Sequence, residues 1–314
     1  MHTPRGYRYN GLSPEAYDQK IIQLHGDISV YIEGITELLA LVPFSSKDTI
    51  LELCCGTGIA TEEMGKRDHD TILAIDENYF FVQAAEKRCK SASLRNISFE
   101  FGDITSLLEN ERKFEEVALR TDPMLMQGIS DVTKGAPYDH IIMCNAATEI
   151  LEEGDFFPLV REYLKEDGVF LFNVKIKDGI ENACAHFFRL FRDYHNNSSP
   201  PHVCLGNTID ADIVPAQRTE EDILALLERE GFSLRTMTKK RYILPNILPY
   251  AFAVRERISD FVRREYTPAP YQRALYLYLE EELPDNFHRA HSRFLQEDTE
   301  KHIKTELLIA AEKR

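Results

Sequence analysis

At 314 residues and 43% apolar content, the chain is long enough for one large α/β domain with additional helical parts. Its 37 basic and 52 acidic residues leave a formal charge of −15, with acids spread over the whole length, which repels nucleic-acid backbones and anionic membranes and argues against a nucleic-acid substrate. Six cysteines at 54, 55, 89, 144, 184 and 204 form no C-x-x-C pair, no apolar run reaches the roughly 18 residues of a membrane span and no signal peptide opens the sequence; a cytoplasmic, reduced protein is expected.

In chain order, residues 1–10 are polar and aromatic and belong to the terminus. Ser13-Pro14-Glu15 is a helix start, with serine as the cap and proline at the first helical position. Ile28, Ile32, Ile35, Leu38, Leu39 and Val42 recur at helical spacing, so a helix precedes the first strand. The strand at 48–53 runs into Cys54-Cys55-Gly56-Thr57-Gly58, with a helix opening at Ile59. Glycines at such a turn let backbone approach a ligand, and the unpaired N–H groups of the helix start face the same spot. Thr71–Asp76 reads as a second strand ending in a carboxylate twenty residues after Gly56. That is where a nucleotide ribose is gripped in a Rossmann-type βαβ unit. The third glycine of G-x-G-x-x-G is missing, because Thr61 stands there.

Further strands are expected at Phe99–Ile104, Tyr138–Asn145, Val169–Phe172 and after Glu230-Gly231-Phe232. A long passage, Leu107 to Pro137, has a helical piece around Lys113–Arg120, and an insertion at 178–218 opens with the helical Asn182–Tyr194. Thr219-Glu220-Glu221-Asp222 caps a helix running to Glu230. Pro245 and Pro249 precede helical stretches at Phe252–Arg264 and Tyr271–Leu283. Residues 302–312 alternate and then turn apolar as a buried strand does; a C-terminal helix over Lys304–Lys313 is the alternative. Lys239-Lys240-Arg241, the dense basic run, reads as a solvated strand end.

With Glu52 ahead of the turn, the pattern E-x-C-x-G-x-G resembles motif I of the class I methyltransferases that use S-adenosylmethionine (SAM). Phe99-Glu100-Phe101-Gly102-Asp103-Ile104, the Tyr138-Asp139 entry to the fourth strand, Leu164-Lys165-Glu166-Asp167-Gly168 and Glu230-Gly231-Phe232 are similar to later motifs of that family, in the same order over residues 48–244. The resemblance implies a Rossmann-like, seven-stranded, mostly parallel sheet with helices on both faces and a helical lid. Its last strand would lie antiparallel beside the fifth. The implied divisions are a helical cap at 1–45, a SAM-binding core at 46–244 with 302–314, the insertion at 178–218, and a lid at 245–301.

The family places an acid at Glu52 near the cofactor's ammonium group, the ribose acid at Asp76 with Glu77 after it, and an acid at Asp103, beside Ile104, near the adenine amino group. The resemblance thus makes Glu52, Cys54, Gly56, Gly58, Asp76, Glu77, Asp103, Ile104 and Asn145 cofactor-binding residues. Tyr17-Asp18 is similar to a Y-D pattern that small-molecule members place over the methionine end, which adds Tyr17. Cys54 replaces a glycine, and because a positive φ is costly for cysteine an extended conformation is expected there. Asn145-Ala146-Ala147 lacks the [DN]-P-P-[YFW] clamp of enzymes that methylate planar amino groups.

Methyl transfer needs a base only when the nucleophile is protonated. His25 and His186 lie on elements that cover the acceptor pocket in the family and are the candidate bases; His140 reads as a satisfied core residue. The spacings of Cys184, His186, His195, His202 and Cys204 match no zinc pattern, and no metal is expected. Aromatic residues gathered in the insertions suggest a partly apolar or aromatic metabolite as substrate, with a homodimer as one form of the protein. The rival readings are SAM-dependent chemistry other than methyl transfer, and a protein or RNA methyltransferase.

Overall fold

The computed structural model describes residues 13–25, 27–67, 71–102, 135–147, 156–176, 218–243 and 303–314. Asp103, Ile104, the helical piece around Lys113–Arg120, His186, almost all of the 178–218 insertion and the 245–301 lid lie outside the described residues.

Seven strands form one sheet: β1 Thr49–Leu53, β2 Thr71–Asp76, β3 Ile97–Phe101, β4 Tyr138–Met143, β5 Leu164–Lys175, β6 Phe232–Ile243 and β7 Ile303–Lys313. Their order is β3-β2-β1-β4-β5-β7-β6. Strands β1 to β5 pair in parallel, while β7 is antiparallel to both β5 and β6. Central strands covered on both faces read as near-continuous apolar runs, as Val169–Phe172 does and as Ile50–Leu53 does but for Glu52. The C-terminal run is a strand because it fills the gap between β5 and β6, where Leu307 to Ala311 are completely buried. Strand β5 starts at Leu164, five residues before the expected Val169, and a register shift between Tyr138 and His140 absorbs the extra length.

Side-chain alternation divides the core in two. One face of β1 and β5 (Ile50, Val169, Leu171) packs under helices α1 Pro14–His25, α2 Ile28–Leu39, α3 Ile59–Gly65 and α4 Tyr79–Ser91. The other face (Leu51, Leu53, Phe170, Phe172) packs against α5 Phe156–Tyr163 and α6 Glu220–Arg229. Rings of Phe156, Phe157, Phe170, Phe172 and Phe232 fill this second layer, Phe170 stacking on Phe172 at 4.7 Å.

The helix signals act as read: Ser13 Oγ accepts from Ala16 N–H at 3.2 Å, and Thr219 and Asp222 form a reciprocal capping box. Val42 lies beyond the end of α2, yet remains buried in the same layer. His140 is a buried residue of β4, its Nε2 3.0 Å from Asp48 Oδ2, while its Nδ1 has no hydrogen-bond partner among the described residues, so the core histidine expected to be satisfied is satisfied at one nitrogen. The sheet's strand order reverses between β1 and β4, and in open α/β sheets the crevice beyond the carboxyl ends at such a point holds the ligand.

Candidate functional site

At that crevice the chain leaves β1 and makes a tight turn into α3. Cys54 has φ +57°, Gly56 +56° and Gly58 +80°. The extended conformation expected for Cys54 is therefore wrong. The tertiary pairing overrides the residue's preference: after the kink, the Cys55 N–H donates to the Ile75 carbonyl of β2 at 3.0 Å, and the Gly58 N–H donates to the Cys55 carbonyl at 3.0 Å. A non-glycine residue held in the left-handed region costs about 1–2 kcal/mol, a strain that clusters at functional sites.

The two glycines have separate tasks. A Cβ on Gly56 would meet nothing within 4 Å, so the turn presents open backbone there. A Cβ on Gly58 would come within 2.6 Å of Ala85 Cβ and 2.7 Å of its Cα, so this glycine lets α4 pack against α3. Asp76, at the end of β2, organises the turn. Its Oδ2 accepts from the Gly56 N–H at 2.9 Å and its Oδ1 from the Asn78 N–H at 2.8 Å. Each carboxylate oxygen can accept a second hydrogen bond, which leaves capacity for a ligand hydroxyl. Burial pushes the Asp76 carboxyl above its ordinary range, against the pull of those two N–H bonds.

Glu52 is 1% exposed and faces the same side of the sheet, where Thr61 Oγ1 donates to its Oε2 at 2.6 Å. Burial, with a smaller contribution from Asp76, pushes its carboxyl up to about 8. A carboxyl held neutral in this way is restored to the anion by an arriving cation. Thr61 also explains the missing third glycine: it serves as the hydrogen-bond partner of Glu52. The Cys55 and Cys144 thiols are pushed well up by burial and remain protonated.

The N-terminal helix reaches the turn through Asp18. Thr57 Oγ1 donates to Asp18 Oδ1 at 2.6 Å, Arg88 of α4 pairs with Asp18 Oδ2, and Arg88 Nε donates to the Thr57 carbonyl at 2.9 Å. Tyr17, next to Asp18, packs its ring against Phe81 at 5.0 Å.

On the other side of β4 lies a polar cluster. The register Glu52↔Ile142 sets Asn145 level with Cys55, and Met143↔Phe172 sets Asn173 level with Cys144. Asn145 turns the chain at φ +59° and is exposed. Its N–H donates to Asn173 Oδ1 at 2.7 Å, and its own Oδ1 accepts from Asn173 Nδ2 at 2.6 Å. Asn173 Nδ2 also donates to Glu306 Oε2 at 3.0 Å, while Lys304 pairs with Glu306 Oε1. Asn145, Asn173, Glu306 and Tyr242 line a small cavity roofed by Tyr31, Gly34, Ile35 and Leu38 of α2.

A family model described as a methyltransferase domain matches residues 50–134, the stretch from β1 through β3 and beyond. The strand order, with an antiparallel β7 between β5 and β6, is the arrangement expected of class I. Residues 50–134 thus match a methyltransferase domain. The chain is also similar to a SAM-dependent methyltransferase from Thiobacillus denitrificans solved with S-adenosyl-L-homocysteine: 16% identity, 90% of this chain and 91% of that one covered, TM-score 0.47. It is similar to a putative methyltransferase from Bacillus halodurans, at 12% identity, 88% and 97% coverage and TM-score 0.46. A third likeness is to geranyl diphosphate C-methyltransferase from Streptomyces coelicolor, at 12% identity, 99% and 90% coverage and TM-score 0.45. No curated protein matches the sequence significantly.

The turn has the features that the class I resemblance asks of a SAM site. There is open backbone at Gly56, spare acceptor capacity at Asp76 and a neutralised buried acid at Glu52 that an ammonium would re-ionise. The structure brings Tyr17, Glu52, Cys54, Gly56, Gly58, Asp76 and Glu77 to one end of β1 and β2, with Asn145 across the switch point. Gly102 joins this end through its N–H to the Asp76 carbonyl at 3.0 Å; Asp103 and Ile104 follow outside the described residues. His25 closes α1, with its side chain outside the description, and His186 lies outside altogether. Among the described residues no cluster of histidine, cysteine and acid side chains could hold a metal, and no helix is long and apolar enough to cross a membrane. Sequence reading missed Thr57, Arg88, Asn173, Tyr242, Lys304 and Glu306. Only the Tyr17-Asp18 pair gave a local signal for any of these contacts.

Proposed function

We propose that this protein transfers a methyl group from SAM to a small, partly apolar molecule in the cytoplasm. The observation that carries the reading is the Gly56 turn, held open by Asp76 with the buried, neutral Glu52 alongside. When bound, SAM supplies an electrophilic methyl carbon on sulfonium, which passes to a nucleophile in an in-line displacement and leaves a neutral thioether. The chain's own part is to bind, orient and exclude water. In this reading Asp76, with Glu77 at its side, receives the ribose hydroxyls. Glu52 ionises toward the ammonium group, Gly56 and the residues from Cys54 to Gly58 cup the amino-acid tail, and Tyr17 covers it. Asp103 and Ile104 take the adenine, and Asn145 stands where donor and acceptor meet. Glycine at 58 serves by bringing α3 and α4 together, so that the N–H groups at the α3 start converge.

A base for a hydroxyl or ammonium nucleophile would come from His25 or His186. A small-molecule substrate is supported by the charge of −15, which disfavours nucleic acid. The cytoplasm is supported by the free thiols among the described residues, at Cys54, Cys55, Cys89 and Cys144. The test is incubation with methyl-labelled SAM and a metabolite extract fractionated by size. Label appearing in a fraction of small molecules, dependent on intact Asp76, is expected. Label confined to protein or RNA, or none transferred while SAM is bound, would overturn it.

A further inference from the structure

The side chain of Asn145 has its direction fixed by the groups beneath it. Its backbone N–H donates to Asn173 Oδ1 at 2.7 Å, and Asn173 Nδ2 donates both to Asn145 Oδ1 at 2.6 Å and to Glu306 Oε2 at 3.0 Å. Glu306 pairs with Lys304 through its other oxygen. A backbone N–H only donates and a carboxylate only accepts, so the Asn173 amide has one allowed sense. Turned over, it would set hydrogen against hydrogen at Asn145 and oxygen against oxygen at Glu306. With Asn173 fixed, Asn145 must give it the carbonyl oxygen, and the Nδ2 hydrogens of Asn145 are left over. They have no partner among the described residues, and Asn145 is exposed where Asn173, Glu306 and Lys304 are buried.

A relay of buried polar groups ending in a left-handed residue, at φ +59°, is costly to keep. What it delivers to the surface is an N–H donor, held level with Cys55 across the switch point from the cofactor turn. Such a donor selects among nucleophiles. A neutral amine has a single lone pair, which cannot both accept from Asn145 and attack a methyl carbon. An oxygen nucleophile keeps a second lone pair for the donor while the first attacks. A hydroxyl or phenol must also lose a proton. A carboxylate is already ionised at neutral pH, and an N–H aimed at it favours that state.

We propose that Asn145 binds the acceptor, that Asn173 and Glu306 are its positioning residues, and that the substrate presents a carboxylate and leaves as a methyl ester. In that step a lone pair on one carboxylate oxygen forms the O–CH₃ bond as the S–CH₃ bond breaks. The electron pair of the broken bond stays on sulfur, so a sulfonium and a carboxylate become a neutral thioether and a neutral ester, with no proton transferred. The inference rests on the methyltransferase reading above and names the substrate class for it.

Two measurements on the full-length protein test it. Label passed from methyl-labelled SAM to small molecules of an extract should be released as volatile methanol by mild alkali, as a methyl ester releases it. N-methyl, C-methyl and ether groups withstand that treatment, and label that survives alkali would overturn the inference. Label absent from every fraction would count against the methyltransferase reading, and the second measurement then decides. It uses ¹⁵N-labelled protein, with and without S-adenosylhomocysteine, titrated at constant ionic strength with propionate and propylammonium at about 10 mM, in the range where ions this small bind. Propionate should shift the Asn145 side-chain amide resonance in both forms, and propylammonium should not. Asn145→Asp keeps the oxygen that Asn173 holds and replaces the outward amide with a second oxygen. The preference, followed at the backbone amide of the same residue, should then turn to propylammonium by at least about tenfold, the scale of one hydrogen bond to a charged group. Asn173→Ala frees the Asn145 amide to turn over, and the two ions should bind within about threefold of each other. A shift by propionate that vanishes once S-adenosylhomocysteine is bound would assign the donor to the cofactor's own carboxylate and overturn the inference. So would equal shifts by the two ions in the wild type, or an unreversed preference in Asn145→Asp. Should Asn173→Ala not fold, the Asn145→Asp titration decides alone.

Discussion

Glu52 combines almost complete burial with a single hydroxyl partner, so its proton is the most sensitive reporter in the site. Its carboxyl stands at about 8 in the fold against an ordinary 4.5, which means the folded state holds a proton that the unfolded chain has released. Between those two values rising pH therefore lowers stability: the contribution is fully present below about pH 4.5 and lost by about pH 8. Glu52→Gln, which keeps the acceptor for Thr61, should remove this slope and be the more stable protein at pH 8. The margin should be on the order of a few kcal/mol, closing toward pH 4.5 in denaturant melts. The same proton should be expelled when the ammonium of SAM docks, so the heat of binding at pH 7 should vary with buffer ionisation enthalpy in the wild type and not in Glu52→Gln. The two turn glycines offer a paired comparison. Gly58→Ala combines a left-handed φ with a backbone clash at Ala85 and should cost about 2–4 kcal/mol, while Gly56→Ala meets open space and should cost about 1 kcal/mol.

The contact between α1 and the turn is polar and long-range. Asp18 is 39 residues from Thr57 and 70 from Arg88 in sequence. Asp18→Ala should free α1 from α4 and the turn, leaving Arg88 to Glu62 at 3.7 Å. Faster amide exchange across Pro14–His25 and weaker binding of S-adenosylhomocysteine, by about tenfold, should follow, with a thermal midpoint little changed. Exchange unaltered across α1 would show that the helix is held by packing alone. The elements that sequence reading identified are those whose signals are local. Ser13 and Thr219 cap helices within three residues, Gly56 and Gly58 mark a turn, and the apolar run 307–311 has no face to give to water. The Asn145–Asn173–Glu306 cluster joins residues 28 and 133 apart and has no such signal. Cys54 was misread for a related reason: its residue type argues for φ below zero, and the pairing of Cys55 with Ile75 decides otherwise.

For the molecule as a whole, the last strand is the keystone of the sheet. Strand β7 pairs with β5 over Val169–Lys175 and with β6 over Phe232–Ile243, so one segment of eleven residues joins β6 to the remainder. Removing residues 303–314 should leave two open edges and abolish cooperative unfolding, with aggregation in place of a monomeric melt. The central claim, that Asp76 and the Gly56 turn hold an adenosine-containing sulfonium cofactor, is tested most directly by calorimetric titration of wild type and Asp76→Asn with S-adenosylhomocysteine, with NAD as the control. Micromolar binding of S-adenosylhomocysteine, weakened at least about tenfold in Asp76→Asn, with no binding of NAD, is the predicted result. Equal affinity of both proteins for S-adenosylhomocysteine, or preference for NAD, would contradict the account.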